Sequence, residues 1–166
     1  MPDQLLGWIK FALTLEEKGI DFYTRCAAQT KDAHAKGLFE FLKREEYKHK
    51  STLTTLLLNV TKGNIQKIKE SAVAYEELNQ AIPIFNMGDV ERLTKPDTAI
   101  SEMINKSMEL EDEGIEFYQE VAQKEANKDV RSLFLALIKQ EEEHKNIIKR
   151  FGFKLLGLSI STVKHS

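Results

Sequence analysis

Apolar residues recur at steps of three and four along four stretches of the chain, the spacing that places side chains on one face of an α-helix. The four stripes are Ile9, Leu13, Ile20, Tyr23 and Ala27; Leu38, Leu42, Leu53 and Leu56; Ile100, Ile104, Tyr118 and Ala122; and Val130, Leu133, Leu137 and Ile148. Each stripe predicts an amphipathic helix of about 25 residues. Four such helices predict an all-α four-helix bundle.

Breakers and capping residues separate the predicted helices. Asp32 falls between the first two, Gly63 marks the end of the second, and Asn127 precedes the fourth. The third follows Pro96, where Asp97 or Thr98 can cap it. Residues 61–96 are too many for a tight turn, so we predict a crossover along the bundle with a short helix around residues 65–78.

The sequence repeats itself at an offset of 95 residues without a gap. Between residues 15–50 and residues 110–145 there are 13 identities, against about two expected for unrelated segments. The repeat predicts two helical hairpins of common descent, related by a pseudo-twofold axis.

Charge and cysteine content narrow the possible functions. The 24 Lys+Arg and 26 Asp+Glu residues give a net charge of -2, so we expect no nucleic-acid partner and no basic membrane-binding face. The longest apolar run, from Leu133 to Ile138, is far shorter than a membrane span, and the N-terminus lacks the features of a signal peptide, so we expect a cytoplasmic protein. The single cysteine, Cys26, excludes metal sites built on Cys-x-x-Cys pairs. Any metal must therefore bind to Glu, Asp or His.

The polar residues that are identical in the two repeats include the candidate metal ligands. Each hairpin has a glutamate within its apolar stripe and, 30 residues later, a Glu-x-x-His pair on one helical face. These residues are Glu16, Glu46, His49, Glu111, Glu141 and His144. Buried carboxylates repel one another and are costly without a compensating cation. Two divalent metals would neutralise the set, and its carboxylate and imidazole ligands suit iron or manganese better than a structural zinc site.

This ligand pattern resembles that of the ferritin-like di-iron carboxylate proteins. Residues 15–23 (LEEKGIDFY) and 110–118 (LEDEGIEFY) are most similar to the rubrerythrin branch, over nearly the whole chain. The resemblance implies a ferritin-like bundle holding two iron ions, with manganese or zinc possible instead. It also implies ligand roles: terminal for Glu16 and Glu111, bridging for Glu46 and Glu141, and one nitrogen each from His49 and His144.

The chain departs from typical rubrerythrins in two ways. They carry a C-terminal rubredoxin domain with four cysteines, which this chain lacks, so the resemblance implies an external electron-donor protein. They also carry an extra carboxylate at the position of Gly114.

The predicted function is a di-iron oxidoreductase that reduces hydrogen peroxide or oxygen, of the peroxidase or ferroxidase type, acting as a homodimer. Three alternatives stay open: an iron-storage subunit of a cage, a di-manganese or mixed-metal oxidoreductase, and a metal-free helical interaction module. The di-iron function predicts two metals per chain.

Other residues have predicted supporting roles. Tyr23 and Tyr118 lie seven residues after Glu16 and Glu111, where each phenol can hydrogen-bond a ligand carboxylate. Gly19 and Gly114 either let helices approach closely or leave room for an oxidant. We predict that Cys26 is a small buried side chain. His34 and His165 are predicted to be solvated, and the solvent face is predicted to include Glu17, Glu45, Asp112, Glu142 and Glu143.

The predicted domain boundary falls near residue 150. We assign residues 1–150 to the bundle. Residues 151–166 include Phe153, Leu155 and Leu156 and are too apolar for a loose end. We therefore expect this tail to dock on the bundle or on a partner subunit.

Overall fold

A computed structural model describes residues 2–64, 66–70 and 97–157, and four long helices lie within these ranges. They are α1 (Pro2–Gln29), α2 (Ala33–Thr61), α3 (Thr98–Lys124) and α4 (Lys128–Leu156). Short connections make α1 antiparallel to α2 and α3 antiparallel to α4. The described residues contain no strand. The all-α bundle is therefore confirmed.

Capping residues explain where three of the helices begin. The side chain of Asp32 accepts a hydrogen bond from the Ala35 backbone N–H at 2.8 Å, and Asp97 accepts one from Ile100 at 3.0 Å. Asn127 accepts two such bonds at the start of α4. Each cap satisfies a backbone donor that the first helical turn leaves without a partner.

The two hairpins keep the register of the sequence repeat. Helix α3 ends 95 residues after α1, and α4 begins and ends 95 residues after α2. Equivalent ion pairs also recur: Lys50 lies 2.9 Å from Glu17, and Lys145 pairs with Asp112 at the same positions of the second hairpin. The repeat is therefore structural as well as sequential.

The apolar core is divided into two parts at opposite ends of the bundle. One part joins the start of α1 and the end of α2 to the end of α3 and the start of α4, and includes Ile9, Leu56 and Phe134. The other joins the opposite helix ends and includes Phe39 and Phe151. The glutamates and histidines of the repeat lie between them, so apolar packing closes both ends of the polar layer.

Two predicted segments fall partly outside the described residues. Within the predicted crossover, residues 66–70 are helical and Ile68 packs into the core, while the rest of the predicted short helix lies outside them. Helix α4 continues past the predicted boundary at residue 150 to Leu156, and both Phe151 and Leu155 are buried. The remainder of the predicted tail, residues 158–166, lies outside the described residues. None of the described helices is apolar over a length that could span a membrane.

Candidate metal centre

Six side chains from all four helices meet in the middle of the bundle. Helix α1 contributes Glu16, α2 contributes Glu46 and His49, α3 contributes Glu111, and α4 contributes Glu141 and His144. None of the six is more than 5% exposed, and both imidazoles are fully buried. The structure therefore brings together all six residues that the sequence singled out as ligands.

The ligand atoms form two overlapping groups of four residues. One group is Glu16, Glu46, His49 and Glu141, and the other is Glu46, Glu111, Glu141 and His144. Within each group the nitrogen and oxygen atoms lie within 4.8 Å of one another. Glu46 and Glu141 belong to both groups, so the cluster has two halves with two carboxylates in common.

Both histidines turn Nδ1 toward the carboxylates. Nδ1 of His49 lies 3.5 Å from Oε2 of Glu16 and 3.2 Å from Oε1 of Glu141. Nδ1 of His144 lies 3.4 Å from Oε2 of Glu111 and 3.0 Å from Oε2 of Glu141. The imidazole rings stack with centroids 5.4 Å apart. Each half of the cluster therefore has one Nδ1 atom directed into it.

The two tyrosines connect the hairpins through the carboxylates. The Tyr23 hydroxyl on α1 donates to Oε1 of Glu111 on α3 at 2.5 Å. In the equivalent bond, the Tyr118 hydroxyl on α3 donates to Oε1 of Glu16 on α1. Burial raises the pKa of both phenols well above the usual value, and nearby glutamate charges add to the rise. Both tyrosines therefore stay protonated as donors and fix one oxygen of each carboxylate.

One polar contact of the histidines was missed by sequence reasoning. Nε2 of His49 lies 2.6 Å from Oε1 of Gln140. An amide oxygen can only accept, so Nε2 of His49 carries a hydrogen while Nδ1 faces the carboxylates. Gln140 directly precedes Glu141, and the repeat relates it to Glu45. Because the sequence predicts Glu45 on the solvent face, the repeat gave no signal for this contact.

The prediction that Glu45 lies on the solvent face is wrong. Only 4% of Glu45 is exposed, and its carboxylate accepts a hydrogen bond from Lys48 at 2.7 Å. One turn earlier on α2, the ring of Phe41 lies edge-on to His144. This face of α2 therefore packs toward α4.

Burial and mutual repulsion favour protonation of part of the cluster. Burial raises the pKa of Glu46 well above its usual range, and the charges of Glu141, Glu16 and Glu111 raise it further. Burial also raises the pKa of Glu111 to about 7, with a further contribution from Glu141. The neutral form of both carboxyls is therefore favoured until a cation compensates their charge.

The surroundings of Glu141 and His144 favour the charged forms of these two side chains instead. Burial alone would raise the pKa of Glu141, but the two imidazoles beside it hold its pKa well below the usual range. Burial alone would lower the pKa of His144, but hydrogen bonds to Glu111 and Glu141 outweigh it and raise the pKa to about 9. The shared carboxylates thus differ: the surroundings favour the charged form of Glu141 and the neutral form of Glu46.

The donor set fits a pair of divalent metals. Oε2 of Glu16 is buried without a hydrogen-bond partner among the described residues, a costly arrangement unless a cation is bound. Four carboxylates and two imidazoles are ligands that iron and manganese accept. The shared Glu46 and Glu141 match what two neighbouring ions require of bridging ligands.

A cleft between α1 and α3 reaches the cluster. Its lining includes Gly19 and Gly114, both of which face a shared glutamate. A Cβ atom on Gly19 would lie 3.3 Å from Cγ and Cδ of Glu46, whereas one on Gly114 would make only ordinary contacts of 3.7 Å or more. Gly19 is therefore explained by the close approach of the Glu46 side chain. Gly114 has no such steric requirement.

The remaining predicted residues lie mainly where the sequence placed them. Cys26 is buried, and burial raises the pKa of its thiol to about 11. His34, Glu17 and Glu142 are exposed. Asp112 and Glu143 are half-buried, and His165 lies outside the described residues.

The sequence of this chain matches a known protein family. The family model described as Rubrerythrin matches residues 8–152. No curated protein and no solved structure matches the chain. The matched range covers nearly all of the described helices and every residue of the six-residue cluster.

Proposed function

Because this chain belongs to the rubrerythrin family, we propose that it is a di-iron oxidoreductase that reduces hydrogen peroxide or oxygen with electrons from an external donor. The observation that carries the proposal is the pair of four-residue groups sharing Glu46 and Glu141. A single ion needs one group. Two groups with two carboxylates in common suit two ions side by side.

The proposed ligands follow from the two groups. Glu16 and His49 would hold one ion, Glu111 and His144 the other, and Glu46 and Glu141 would contact both. When bound, a pair of ferrous ions supplies the two electrons that reduce one hydrogen peroxide molecule to water. Carboxylate ligands favour this chemistry because their charge stabilises the oxidised ions.

The chain itself fixes the ligands and controls their protons. Tyr23 and Tyr118 each hold one oxygen of Glu111 and Glu16, which leaves Oε2 of those carboxylates for a metal. Gln140 keeps the hydrogen of His49 on Nε2. Since the pKa of Glu111 is about 7 without a metal, cation binding would release its proton near neutral pH. The apolar cores close the layer at both ends of the bundle.

The proposed electron source lies outside these 166 residues. A rubredoxin-type site needs four cysteines, and the sequence has only Cys26, which is buried in one apolar core. The proposal therefore places the electron donor outside these residues. Its substrate is a small oxidant able to enter the cleft beside Gly19 and Gly114.

Metal analysis and rapid mixing test the proposal. Protein purified from its own source should contain two irons per chain. Its anaerobic ferrous form should be oxidised in one phase of two electrons per chain when mixed with peroxide, with oxygen run in parallel. A clean titration to one metal per chain would contradict the di-iron proposal. Faster oxidation by oxygen, with retention of many irons per chain, would favour iron storage.

A further inference from the structure

The cleft between α1 and α3 connects the metal centre to solvent. Its inner wall includes the carboxylates of Glu16, Glu46, Glu111 and Glu141, which are buried. Its outer lining includes Lys18 and Glu113, whose side chains are 50% and 45% exposed. The same cavity is therefore lined by solvent-exposed charges and by the candidate ligands.

An ion pair links the two helices across this cleft. Nζ of Lys18 lies 2.5 Å from Oε2 of Glu113. The two residues occupy the same repeat position, 95 residues apart. A pseudo-twofold axis brings equivalent positions face to face, and here it places a cation opposite an anion at the rim.

On the histidine side of the centre, other side chains cover the two imidazole rings. Both imidazoles are fully buried. Gln140 contacts His49, and the Phe41 ring packs against His144. On the α1–α3 side, by contrast, Gly19 and Gly114 place no side chain in the cleft.

We propose that this cleft is the port through which divalent cations reach the centre, and that Lys18 and Glu113 set its charge. Glu113 attracts an approaching cation, and Lys18 largely cancels that attraction. The inference rests on the proposed function only in requiring that the buried cluster binds divalent metal. It does not depend on which oxidant is reduced.

The proposal is testable because removing the charge of Lys18 and removing the charge of Glu113 should change the rate of cation uptake in opposite directions. Lys18→Met leaves Glu113 as an unbalanced negative charge at the rim, whereas Glu113→Gln leaves Lys18 as an unbalanced positive charge. A unit charge acting on a divalent ion at a solvent-exposed rim changes its local concentration about three- to tenfold at low salt. Lys18→Met should accelerate uptake by about that factor, and Glu113→Gln should slow it by a similar factor.

The probe is Co²⁺ added to metal-free protein in a stopped-flow instrument, with uptake followed by the visible absorption of bound cobalt. The exchanged double variant Lys18→Glu/Glu113→Lys restores the ion pair and should return the rate to near that of the wild type. High salt should compress all of these differences, because the charges are exposed and screened. Final loading should stay at two ions per chain in every variant.

Lys50→Met is the matched control. It removes the same charge from another exposed ion pair, with Glu17, which is not part of the cleft lining. If Lys50→Met accelerates uptake as much as Lys18→Met, or if both rim variants shift the rate in one direction, the port assignment is overturned. Normal two-ion loading at unchanged rates also overturns the port alone. A wild-type chain that takes up no Co²⁺ overturns the proposed metal centre itself.

Discussion

Glu46 and Glu141 occupy equivalent positions yet have different electrostatic surroundings. Two imidazoles stabilise the charge of Glu141, whereas burial and then three other glutamates disfavour the charge of Glu46. Both residues belong to both candidate ligand groups. In the proposed centre, the ligand count at each ion therefore depends on the same two side chains.

Removing either shared carboxylate should affect both metals. We expect Glu46→Ala and Glu141→Ala to reduce loading from two ions toward none, since each change removes a ligand from both groups. Glu16→Ala should weaken one ion only. Elemental analysis after dialysis against Mn²⁺ measures the loading. Glu142→Ala is the control, because Glu142 is exposed beside Glu141. Loss of only one ion in the Glu46 and Glu141 variants would show that these residues do not bridge.

The histidines should behave as one ligand for each ion. His49→Ala and His144→Ala should each weaken one metal by more than the 10–100-fold loss that is typical when an outer partner of a ligand is removed. The two losses should differ, because Gln140 contacts His49 while the equivalent position near His144 carries Glu45. Single-turnover oxidation of the ferrous form by peroxide provides the rate. An exposed histidine, His34, gives the control variant His34→Ala. Equal slowing by His34→Ala would refute this assignment of the histidines.

At the scale of helices, packing within each hairpin is more extensive than packing between hairpins. Contacts between α1 and α3 include the two buried tyrosine–glutamate hydrogen bonds and the exposed Lys18–Glu113 pair. Gly19 and Gly114 lie at the same interface and line its cleft. Small changes at these two positions therefore probe how closely α1 and α3 approach the buried Glu46 and Glu141.

The two glycines should respond differently to the same substitution. In Gly19→Ala, the new Cβ lies 3.3 Å from two carbons of Glu46, so the buried carboxylate must shift and metal affinity should fall about tenfold. In Gly114→Ala, the new methyl makes ordinary contacts. The better helix propensity of alanine should then stabilise the protein by about 0.5–1 kcal/mol.

Thermal unfolding and Mn²⁺ titration of both variants check this difference, each variant serving as the other's control. If Gly114→Ala weakens metal binding as strongly as Gly19→Ala, the effect comes from closing the cleft and not from displacing Glu46.

At the scale of the whole molecule, a charged layer separates two apolar cores. Without a metal, the folded protein retains protons that the unfolded chain would release. The pKa of Glu111 rises from 4.5 to about 7 on folding, and that of His144 rises from 6.5 to about 9. Both groups therefore stabilise the metal-free fold at low pH, and this contribution is lost as pH rises through their folded pKa values.

The melting temperature of the metal-free protein should consequently fall by several degrees between pH 6 and pH 9. Mn²⁺ should raise it at every pH, because the ions bind the folded state alone. The rise should be larger at pH 8 than at pH 6, since binding displaces protons from Glu46 and Glu111. Circular dichroism melts with EDTA or with excess Mn²⁺ measure both effects. A melting temperature unchanged by Mn²⁺ would contradict a preformed buried site.

The sequence by itself determined the helices, the repeat and the ligand stripe. Local chemistry suffices for these features: the helical period places Glu16, Glu46 and His49 on inward faces, and Asp32 can cap a helix from its own position. The repeat then fixed the second ligand set without reference to any contact.

Only the tertiary structure decided which residues meet across helices. The period of a helix defines a face but not which residue of a neighbouring helix lies opposite, because that depends on the rotation and offset of packed helices. The crossed bonds of Tyr23 to Glu111 and of Tyr118 to Glu16 are of this kind.

The burial of Glu45 has a related cause. It lies one residue, about 100°, from Glu46 around α2. A buried stripe with one residue per helical turn predicts that the position of Glu45 faces solvent. A helix in a four-helix bundle packs against more than one neighbour, however, and buries a wider arc. Sequence periodicity therefore determined the centre of each buried face, and the packing of neighbouring helices decided its edges.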